Sequence, residues 1–329
     1  MENKQLTIGV LTSGGDAPGM NAAIRAVVRT ALNRNIRVLG IRRGYSGLLQ
    51  PDMIEMNLRS VSDTLHRGGT ILYTARCPEF KQEEGMQRAR QICREMGIDG
   101  LVVIGGDGSF RGARDLSLRG VPCIGIPGTI DNDIASSDYT VGFDTAVNTV
   151  MDMVDKLRDT SQSHDRCSVV EVMGRRCGDI ALHAGVACGA VAILLPEMPF
   201  SVDGIVEKMR RTLRTGKKHF IIIVAEGVMK NGGLPDVHTF AAELERRTGV
   251  ESRATVLGHV QRGGAPTARE RVLASEMGYR AVELLEQGIG NRVVVNHNDR
   301  IVDYDILEAL NMQKQFNHRL YEIADAISI

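Results

Sequence analysis

Three short segments combine glycine with acidic or hydroxyl side chains, and each directly follows a run of apolar residues. They are residues 12–19 (TSGGDAPG), 105–109 (GGDGS) and 127–133 (PGTIDND). Glycine lets a backbone turn sharply and approach a ligand closely, and the free amides at the start of a helix bind anions. Together, such segments favour the binding of phosphate groups.

The second segment places the carboxylate of Asp107 among amides that would hold a phosphate. The two negative groups repel unless a cation lies between them. Mg²⁺, which binds few carboxylates together with phosphate oxygens, is the natural candidate. A helix N-cap is the alternative for Asp107, and a tight strand–helix turn is an equal alternative for residues 12–19. Two such loops in one chain favour phosphate binding.

The third segment contains two acidic residues, Asp131 and Asp133. In an extended segment they would point to the same side, and two close carboxylates raise each other's proton affinity. Next to a phosphate loop, this indicates a base that removes a hydroxyl proton during phosphoryl transfer. Considered alone, the segment is better interpreted as an Asx-rich turn, but the other loops favour the base.

Phosphoryl transfer also needs cations that hold charge on the moving group. Five arginines lie in loop-like contexts: Arg76, Arg166, Arg175, Arg253 and Arg262. Each alone is most simply a surface residue, but several follow predicted strands, where the sites of α/β proteins gather. His259, near a predicted strand end, could donate to a sugar phosphate; a buried, hydrogen-bonded histidine is the commoner case.

The elements that must position these side chains alternate along the chain. Apolar residues at helical spacing predict helices over 19–32 and 142–159. Runs rich in Val and Ile predict strands buried on both faces of parallel sheets, at 6–11, 36–41, 101–104, 123–126, 167–172, 191–195, 219–225 and 254–260.

This alternation predicts an α/β fold of two lobes, each a mostly parallel sheet flanked by helices. The first lobe is expected to comprise residues 1–139 with about 255–305. The second is expected to comprise residues 140–254 with about 306–329. A length of 329 residues, 43% of them hydrophobic, is enough to form a core in each lobe.

Composition excludes several classes of protein. Forty basic and forty acidic residues give a net charge of zero, without the basic excess of a typical nucleic-acid binder.

The chain lacks both the P-loop pattern and the G-x-G-x-x-G fingerprint of dinucleotide-binding oxidoreductases. No apolar run approaches a membrane span, no secretory signal is evident, and the six cysteines form no Cys-x-x-Cys pair. A cytoplasmic protein with reduced thiols is therefore expected.

Seven stretches together resemble the ATP-dependent 6-phosphofructokinase family of bacterial type. They follow the family's order and extend over nearly the whole chain: LTSGGDAPGMNAAIR, GGTILYTARCPEF, LVVIGGDGS, GIPGTIDNDI, VEVMGR, IIIVAEG and TVLGHVQRGG. GGDGS alone has little specificity, whereas PGTIDNDI with VEVMGR and GHVQRGG is highly specific. The resemblance implies a homotetramer that uses Mg²⁺ and ATP to phosphorylate the 1-hydroxyl of D-fructose 6-phosphate, the committed step of glycolysis.

The resemblance also implies roles for individual residues. Asp131 would be the base and Asp107 the magnesium ligand, and the catalytic set would be Asp131, Thr129, Arg76 and Arg175. ATP would contact Gly15, Tyr45, Arg76, Cys77, Gly106, Asp107, Gly108 and Ser109. The sugar phosphate would contact Thr129, Asp131, Met173, Gly174, Arg175, Glu226, His259 and Arg262, with Arg166 and Arg253 reaching in from a neighbouring subunit.

Two glycines bear on the identity of the phosphoryl donor. Pyrophosphate-dependent relatives typically carry Asp at the position of Gly108 and Lys at the position of Gly128. An Asp at 108 would intrude on the α-phosphate of ATP, and a Lys at 128 could replace a charge that ATP supplies. Since both positions are glycine, ATP is the expected donor. The intact Asp107, Asp131 and Arg175 argue against a non-catalytic sensor on the same fold.

Family members also bind ADP or phosphoenolpyruvate between subunits. The positions that match this effector site are Arg25, Arg29, Arg158, Lys217 and His219, although a solvated helix face is the plain alternative for Arg25 and Arg29. This sequence departs from the family at Val191, where a Glu often holds the effector's Mg²⁺, at Thr215, and at Leu58, which precedes Arg59. We therefore expect weakened binding of Mg–ADP and retained binding of an anion.

Overall fold

The computed structural model describes residues 5–328, so the parts of the expected lobes at residues 1–4 and 329 lie outside the description. Most of the β-structure follows the apolar runs. The strands are β1 (Thr7–Ser13), β2 (Arg37–Ile41), β3 (Met53–Glu55), β4 (Gly100–Gly105), β5 (Cys123–Pro127), β6 (Cys167–Val172), β7 (Ala192–Leu194), β8 (Phe220–Ala225), β9 (Ser252–Val256), β10 (Arg292–His297) and β11 (Arg300–Asp305).

Helices fill most of the intervals between strands. They are α1 (Met20–Asn33), α2 (Gly44–Leu49), α3 (Glu83–Glu95), α4 (Asp107–Ser117), α5 (Phe143–Ser163), α6 (Asp179–Ala187), α7 (Val202–Leu213), α8 (Val228–Asn231), α9 (Val237–Thr248), α10 (Ala268–Glu286), α11 (Ile306–Asn311) and α12 (His318–Ala326). Short 3₁₀ helices span Pro78–Lys81 and Gly258–Arg262. Within residues 5–328, none of the helices combines the length and the apolar character that crossing a bilayer requires.

The chain divides into two compact units. Unit 1 contains the chain up to Thr145 and the segment Arg262–Lys314, and unit 2 contains Ala146–Gln261 and the chain from Gln315 onward. The chain therefore leaves unit 1 inside helix α5 and returns just before helix α10. The lobe boundaries expected from the sequence, near 139, 255 and 305, fall earlier along the chain than these three crossings.

Unit 1 is built on a seven-stranded sheet with the order β11-β10-β5-β4-β1-β2-β3. Its strands are parallel except at the two edges, where β3 and β11 pair antiparallel with their neighbours. All seven residues of β1 and all six of β4 are buried, which explains why their sequences are apolar without alternation. The antiparallel strands at both edges lie outside the strand pattern that the sequence predicts.

Helices pack closely against this sheet. Helix α1 lies against α10, and Gly278 allows the contact because a Cβ there would lie only 2.8 Å from the carbonyl oxygen of Ala23. Phe110 of α4 is fully buried over β5, where a Cβ on Gly125 would meet its ring at 2.8 Å. These close approaches fix the starts of α1 and α4, which follow the two glycine loops, relative to the sheet.

Unit 2 is built on a four-stranded parallel sheet with the order β7-β8-β6-β9. Strand β8 is completely buried, and β6 is buried except at Glu171. The last residues of β6 and β8, Val172 and Ala225, are register partners, so the loops that follow them start side by side.

The α/β prediction is confirmed, with sheets that are mostly parallel and flanked by helices. One strand was placed wrongly: the run at 254–260 forms a strand only over Ser252–Val256 and then turns into the 3₁₀ helix Gly258–Arg262. The cause is local, since Gly258 adopts a positive φ of 56°, which ends the extended conformation.

Candidate active site

Three polar loops lie side by side at the carboxyl edge of the unit 1 sheet. Gly105, the last residue of β4, is the register partner of both Ser13 at the end of β1 and Pro127 at the end of β5. The three segments that the sequence singles out therefore leave the sheet from adjacent positions. The amide of Gly128 donates to the carbonyl of Gly105 at 3.0 Å, and the Ser109 hydroxyl donates to the carbonyl of Ser13 at 3.1 Å.

The first loop needs glycine at its turning points. Gly14 and Gly19 have φ values of 91° and 97°, which favour glycine strongly. Gly15 is constrained differently, because a Cβ there would lie 2.5 Å from Nη1 of Arg262. That guanidinium donates to the carbonyl of Asp16 at 3.2 Å. Arg262, predicted to bind the sugar phosphate, thus lies against the first glycine loop within unit 1.

The second loop opens directly into a helix. Gly106 is the N-cap of α4 and Asp107 its first residue, and no side chain caps the helix. A Cβ on Gly108 would have no atom within 4 Å. The first turn of α4 therefore has open space at Gly108. This arrangement fits an anion at a helix N-terminus, and it differs from the N-cap that was the alternative for Asp107.

The third loop is not extended. Asn132 adopts a left-handed conformation with φ of 51°, so Asp131 and Asp133 do not follow the alternation of a strand, and that prediction is wrong. The alternative of a turn describes this backbone better, because Asn132 adopts the left-handed conformation that asparagine tolerates. The Asn132 side chain accepts from the Thr140 amide at 3.0 Å. Asp131 is nevertheless largely buried, at 7% exposure, and its amide donates to the Thr129 hydroxyl at 3.2 Å.

Asp107 is the candidate metal ligand, and the described residues contain no cluster of three or more His, Cys, Asp or Glu that could hold a metal alone. Its carboxylate is partly exposed and accepts from Nε of Arg111 at 2.9 Å. A single carboxylate in the first turn of a helix that no side chain caps fits a cation that completes its coordination with ligand phosphate oxygens. The Arg111 pair would open on such binding. The spacing of four residues on one helix face is a signal that sequence reasoning missed.

Tyr45 lies behind the second loop rather than in the open. It is 5% exposed, stacks on Phe80 with ring centroids 3.8 Å apart, and donates to the carbonyl of Ser109 at 2.6 Å. Burial raises the pKa of its hydroxyl well above the ordinary value. Tyr45 therefore supports the loop instead of presenting its ring to a ligand.

Arg76 and Cys77 belong to a segment tied to the first loop, where the Thr74 hydroxyl donates to the carbonyl of Gly14 at 2.7 Å. Arg76 is exposed and Cys77 is half-buried. Burial raises the pKa of the Cys77 thiol, which disfavours the thiolate at neutral pH.

Unit 2 contains a separate polar cluster at the carboxyl edge of its own sheet. The Glu226 carboxylate, directly after β8, accepts from the amides of Gly174 at 3.2 Å and of Arg175. The amide of Met173 donates to the side chain of Gln261 at 3.1 Å. Gly174 and Arg175 have φ values of 144° and 60°, so this turn holds a non-glycine residue in a strained conformation.

His259 follows β9, the neighbour of β6, and is exposed rather than buried. The commoner case for a histidine, a buried and hydrogen-bonded ring, does not apply. The structure thus brings Met173, Gly174, Arg175 and Glu226 together in unit 2, with His259 after a neighbouring strand. Their role as a sugar-phosphate site stays a prediction.

Arg166 and Arg253 lie at the other end of these strands. Arg166 immediately precedes β6, and Arg253 is the second residue of β9. The first residues of these strands, Cys167 and Ser252, are register partners. Both bind Glu251, Arg166 through Nε at 2.8 Å and Arg253 through Nη2 at 2.6 Å. The two arginines lower the pKa of the Glu251 carboxyl. Glu251 was not identified from the sequence.

Two groups of cations correspond to the expected effector residues. In unit 1, Arg25 and Arg29 share a face of α1, and Nε of Arg29 is buried without a partner in the described residues. Burial and then Arg29 lower the pKa of Arg25. In unit 2, burial lowers the pKa of Lys217 and of His219, with Arg158 adding to both shifts. Each group therefore holds cations close to one another.

Comparison with known proteins gives a consistent result over nearly the whole chain. The sequence model of the phosphofructokinase family matches residues 7–285. The ATP-dependent 6-phosphofructokinase of Clostridium tetani is 60% identical over 321 residues, which cover 98% of this chain and 99% of that protein. The enzyme of the same name from Clostridium botulinum is 56% identical over 322 residues, with 98% and 99% coverage.

Solved structures show the same fold. Phosphofructokinase from Saccharomyces cerevisiae matches 99% of this chain with a TM-score of 0.88 and 34% identity, although the chain spans only 48% of that protein's length. A pyrophosphate-dependent phosphofructokinase from Marinobacter aquaeolei matches 95% of this chain and 86% of its own with a TM-score of 0.85. At 23% identity, that second likeness concerns the fold alone.

Proposed function

We propose, from the premise that this chain belongs to the phosphofructokinase family, that it transfers the γ-phosphoryl group of ATP to the 1-hydroxyl of D-fructose 6-phosphate. The products are fructose 1,6-bisphosphate and ADP, and the reaction is the committed step of glycolysis. The observation that carries the proposal is the convergence of three loops on Gly105, with the buried Asp131 on the third of them.

Residues of the three loops, together with Arg76 and Arg175, account for the transfer step. The Asp131 carboxylate accepts the proton of the sugar 1-hydroxyl, whose oxygen forms the new bond to phosphorus while the bond to the ADP oxygen breaks. Arg76 and Arg175 stabilise charge on the transferring phosphoryl group. The Thr129 hydroxyl accepts a hydrogen bond from the Asp131 amide and so holds Asp131 in place. Gly106, Asp107, Gly108 and Ser109 contact the donor at the start of α4, with Gly15 and Cys77 in further contact.

Mg²⁺ is part of the proposal, with Asp107 as its protein ligand. When bound, the ion neutralises charge on the donor phosphates. Asp107 suits this role because its carboxylate stands at the free start of α4, where phosphate oxygens can complete the coordination. Tyr45 contributes from behind, because its bond to the Ser109 carbonyl keeps the first turn of α4 in place.

The sugar phosphate is assigned to Met173, Gly174, Arg175, Glu226 and His259 of unit 2 and to Arg262, with Thr129 and Asp131 at the reacting end. We further propose a homotetramer in which Arg166 and Arg253 serve the site of a neighbouring subunit. Support comes from their place at the opposite strand ends from Gly174, far along β6 and β9 from the sugar-phosphate cluster. Unit 1 is then the nucleotide-binding lobe and unit 2 the sugar-phosphate lobe. The cytoplasmic location expected from the sequence stays a prediction.

The direct test is turnover of fructose 6-phosphate with either ATP or pyrophosphate, followed as formation of fructose 1,6-bisphosphate. We expect turnover with Mg–ATP and at least about 100-fold less with pyrophosphate, since Gly108 leaves open the space that a larger donor needs. Equal use of pyrophosphate would contradict the donor assignment. Tight binding of both substrates without product would favour the alternative of a sensor on the same fold.

A second proposal concerns an anionic effector such as ADP or phosphoenolpyruvate. The two cation groups, Arg25 with Arg29 and Arg158 with Lys217 and His219, hold cations that repel one another, and a bound anion would offset this repulsion. Val191 is buried at 1% exposure, and Thr215 donates its hydroxyl to the Thr212 carbonyl, so neither offers a charged group to an effector. We therefore expect a response to phosphoenolpyruvate and little activation by micromolar Mg–ADP.

Replacing Lys217 by alanine should reduce the apparent affinity for phosphoenolpyruvate by about tenfold, because a partly buried cation is lost from the anion's surroundings. The neighbouring Lys218→Ala is the matched control, since Lys218 is exposed and pairs with Asp165 at 3.7 Å. The measurement is the shift of the fructose 6-phosphate saturation curve with added phosphoenolpyruvate. Equal shifts for both variants, or strong activation of the unaltered protein by micromolar ADP, would contradict this proposal.

A further inference from the structure

Glu270 is a completely buried carboxyl group that the proposed mechanism does not use. It is 0% exposed and lies in the first turn of α10 in unit 1. Its Oε2 accepts from the amide and the hydroxyl of Thr145, both at 3.2 Å. Its Oε1 has no hydrogen-bond partner in the part of the chain that the structure describes.

The surroundings of Glu270 join three segments that matter for the site. The Thr267 amide donates to the Thr145 hydroxyl at 3.2 Å, and the Thr267 hydroxyl binds Asp144. Thr145 is the last residue of unit 1 before the chain enters unit 2, and Thr267 lies just after its return. On its other side, Cγ of Glu270 lies 2.8 Å from the position of a Cβ on Gly19, the N-cap of α1 and the end of the first glycine loop.

Among residues 5–328, no ion pair joins a cation to this carboxyl group. Arg269 is directed to Asp299 and lies over the Tyr139 ring at 3.9 Å, and Arg271 donates to the Pro266 carbonyl at 2.7 Å. Arg262 donates to the carbonyl of Asp16 instead. The first turn of α1 carries no acidic residue, and Asp144, at the start of α5, is the charged group that acts on Glu270.

Burial raises the pKa of Glu270 to about 7, the repulsion by Asp144 adds to the rise, and the amides of Gly142 and Thr145 oppose it. The protein therefore contains a group that changes its charge near neutral pH beside the cap of a glycine loop. A charge at this place opposes the binding of a phosphate at the same end of α1.

We propose that Glu270 is a positioning residue whose protonation sets the start of α1 and thereby the affinity of the first glycine loop for the phosphoryl donor. This inference rests on the proposed function, because it takes the donor phosphates to bind at that loop. In the neutral form, Glu270 fixes Thr145 and the Gly19 cap without a negative charge near the phosphates. In the ionised form, the same contacts carry a charge that weakens donor binding.

The stability of the protein should follow the same titration. The folded protein holds the Glu270 proton up to about pH 7, whereas the unfolded chain releases it near its ordinary value of 4.5. The stability that Glu270 contributes is therefore fully present at a pH below the pKa of the unfolded chain, and it is lost as the pH rises toward the folded-state pKa of about 7. Glu270→Gln should remove this loss, so that its thermal midpoint exceeds that of the unaltered protein by about 3 °C or more at pH 8 but not at pH 5.

The binding experiment compares the dissociation constant of Mg–ADP for the unaltered protein and for Glu270→Gln between pH 6 and pH 8, by calorimetry without sugar phosphate. The ratio of the two constants cancels the titration of the nucleotide itself. We expect the dissociation constant of the unaltered protein, divided by that of Glu270→Gln, to rise from about one at pH 6 to roughly five at pH 8. Glu276→Gln, an exposed position on the same helix, is the control and should give a ratio near one throughout.

A ratio that stays constant with pH would overturn the proposal and leave Glu270 with a purely structural role. If Glu270→Gln does not fold, Asp144→Asn serves as the second variant, because loss of the neighbouring charge should move the pH transition of the unaltered carboxyl to lower pH. An unmoved transition would equally overturn it. Absence of nucleotide binding in every protein would contradict the proposed function, and the pH dependence of the thermal midpoint would still decide whether Glu270 titrates.

Discussion

Replacing Asp131 by serine is expected to lower kcat with ATP and fructose 6-phosphate by about 10³-fold, within the range that a positioned general base contributes. The carboxyl group is 7% exposed and lies on the loop after β5, whose backbone bonds to Gly105 between the two glycine loops. No other carboxylate predicted for the donor side serves as a proton acceptor, because Asp107 is assigned to the metal. The measurement is steady-state turnover, together with the binding of each substrate alone.

The comparison between Asp131→Asn and Asp131→Ser separates proton acceptance from packing. Asparagine keeps the size of the side chain but accepts no proton at neutral pH, so both variants should lose turnover to a similar extent while substrate dissociation constants change less than about threefold. Asp152→Asn is a control, since this exposed residue of α5 pairs with Lys156 on its own helix. If Asp131→Asn kept most of the turnover, the assignment of the base would be wrong.

The placement of the three loops was predictable in outline from the sequence. Each follows an apolar run, and the carboxyl ends of parallel strands meet at one edge of a sheet. The strand order was not predictable, because β4 pairs both with β5, about 20 residues away, and with β1, about 90 residues away. It is this order that makes Gly105 the common neighbour of Ser13 and Pro127.

Local backbone conformation explains two of the differences between expectation and structure. The D-N-D segment predicts either paired carboxylates or a turn, and Asn132 decides for the turn because asparagine tolerates the left-handed region. Gly258 ends the strand at Val256 in the same way. Both signals were present in the sequence, but apolar or acidic neighbours outweighed them in the prediction.

Burial of polar side chains depends on tertiary contacts and was the least predictable property. Tyr45 was expected beside the nucleotide, yet it supports Ser109 from the core. Glu270 has the spacing of a capping box with Thr267, which indicates a helix start, but its complete burial depends on Gly19 and Thr145 from distant parts of the chain. Sequence spacing identifies such residues as candidates, and only the packed structure shows what surrounds them.

Replacing Gly108 by aspartate is expected to lower kcat/KM for ATP by at least 100-fold with little change in thermal stability. A Cβ at this position meets no atom within 4 Å, so the backbone and its neighbours accept a side chain without rearrangement. The added carboxylate would then stand in the first turn of α4 beside Asp107, where the donor phosphates are proposed to bind. Two negative charges without a second cation repel the donor.

Gly108→Ala is the matched control for this experiment, because it adds the Cβ without the charge. Alanine favours a helix over glycine by roughly 0.8–1.0 kcal/mol, so the control should be at least as stable as the unaltered protein and should keep kcat/KM for ATP within about fivefold. The comparison is made by steady-state kinetics and thermal unfolding of all three proteins. A loss in Gly108→Ala as large as in Gly108→Asp would mean that space, rather than charge, excludes the donor.

Gly128, the second position that bears on the phosphoryl donor, has close neighbours where Gly108 has none. This difference limits how far donor choice can be redesigned. A Cβ on Gly128 would lie 3.0 Å from Cγ2 of Ile104 and 3.1 Å from Cε of Met20, both buried side chains. Gly128→Lys therefore forces core atoms apart, at a cost of roughly 1–3 kcal/mol, whereas Gly108→Asp does not. The double variant should lose ATP turnover as Gly108→Asp does. It should gain little turnover with pyrophosphate, because a pyrophosphate site needs different packing around Met20 as well as different charges. It should also unfold at a lower temperature than either the unaltered protein or Gly108→Asp.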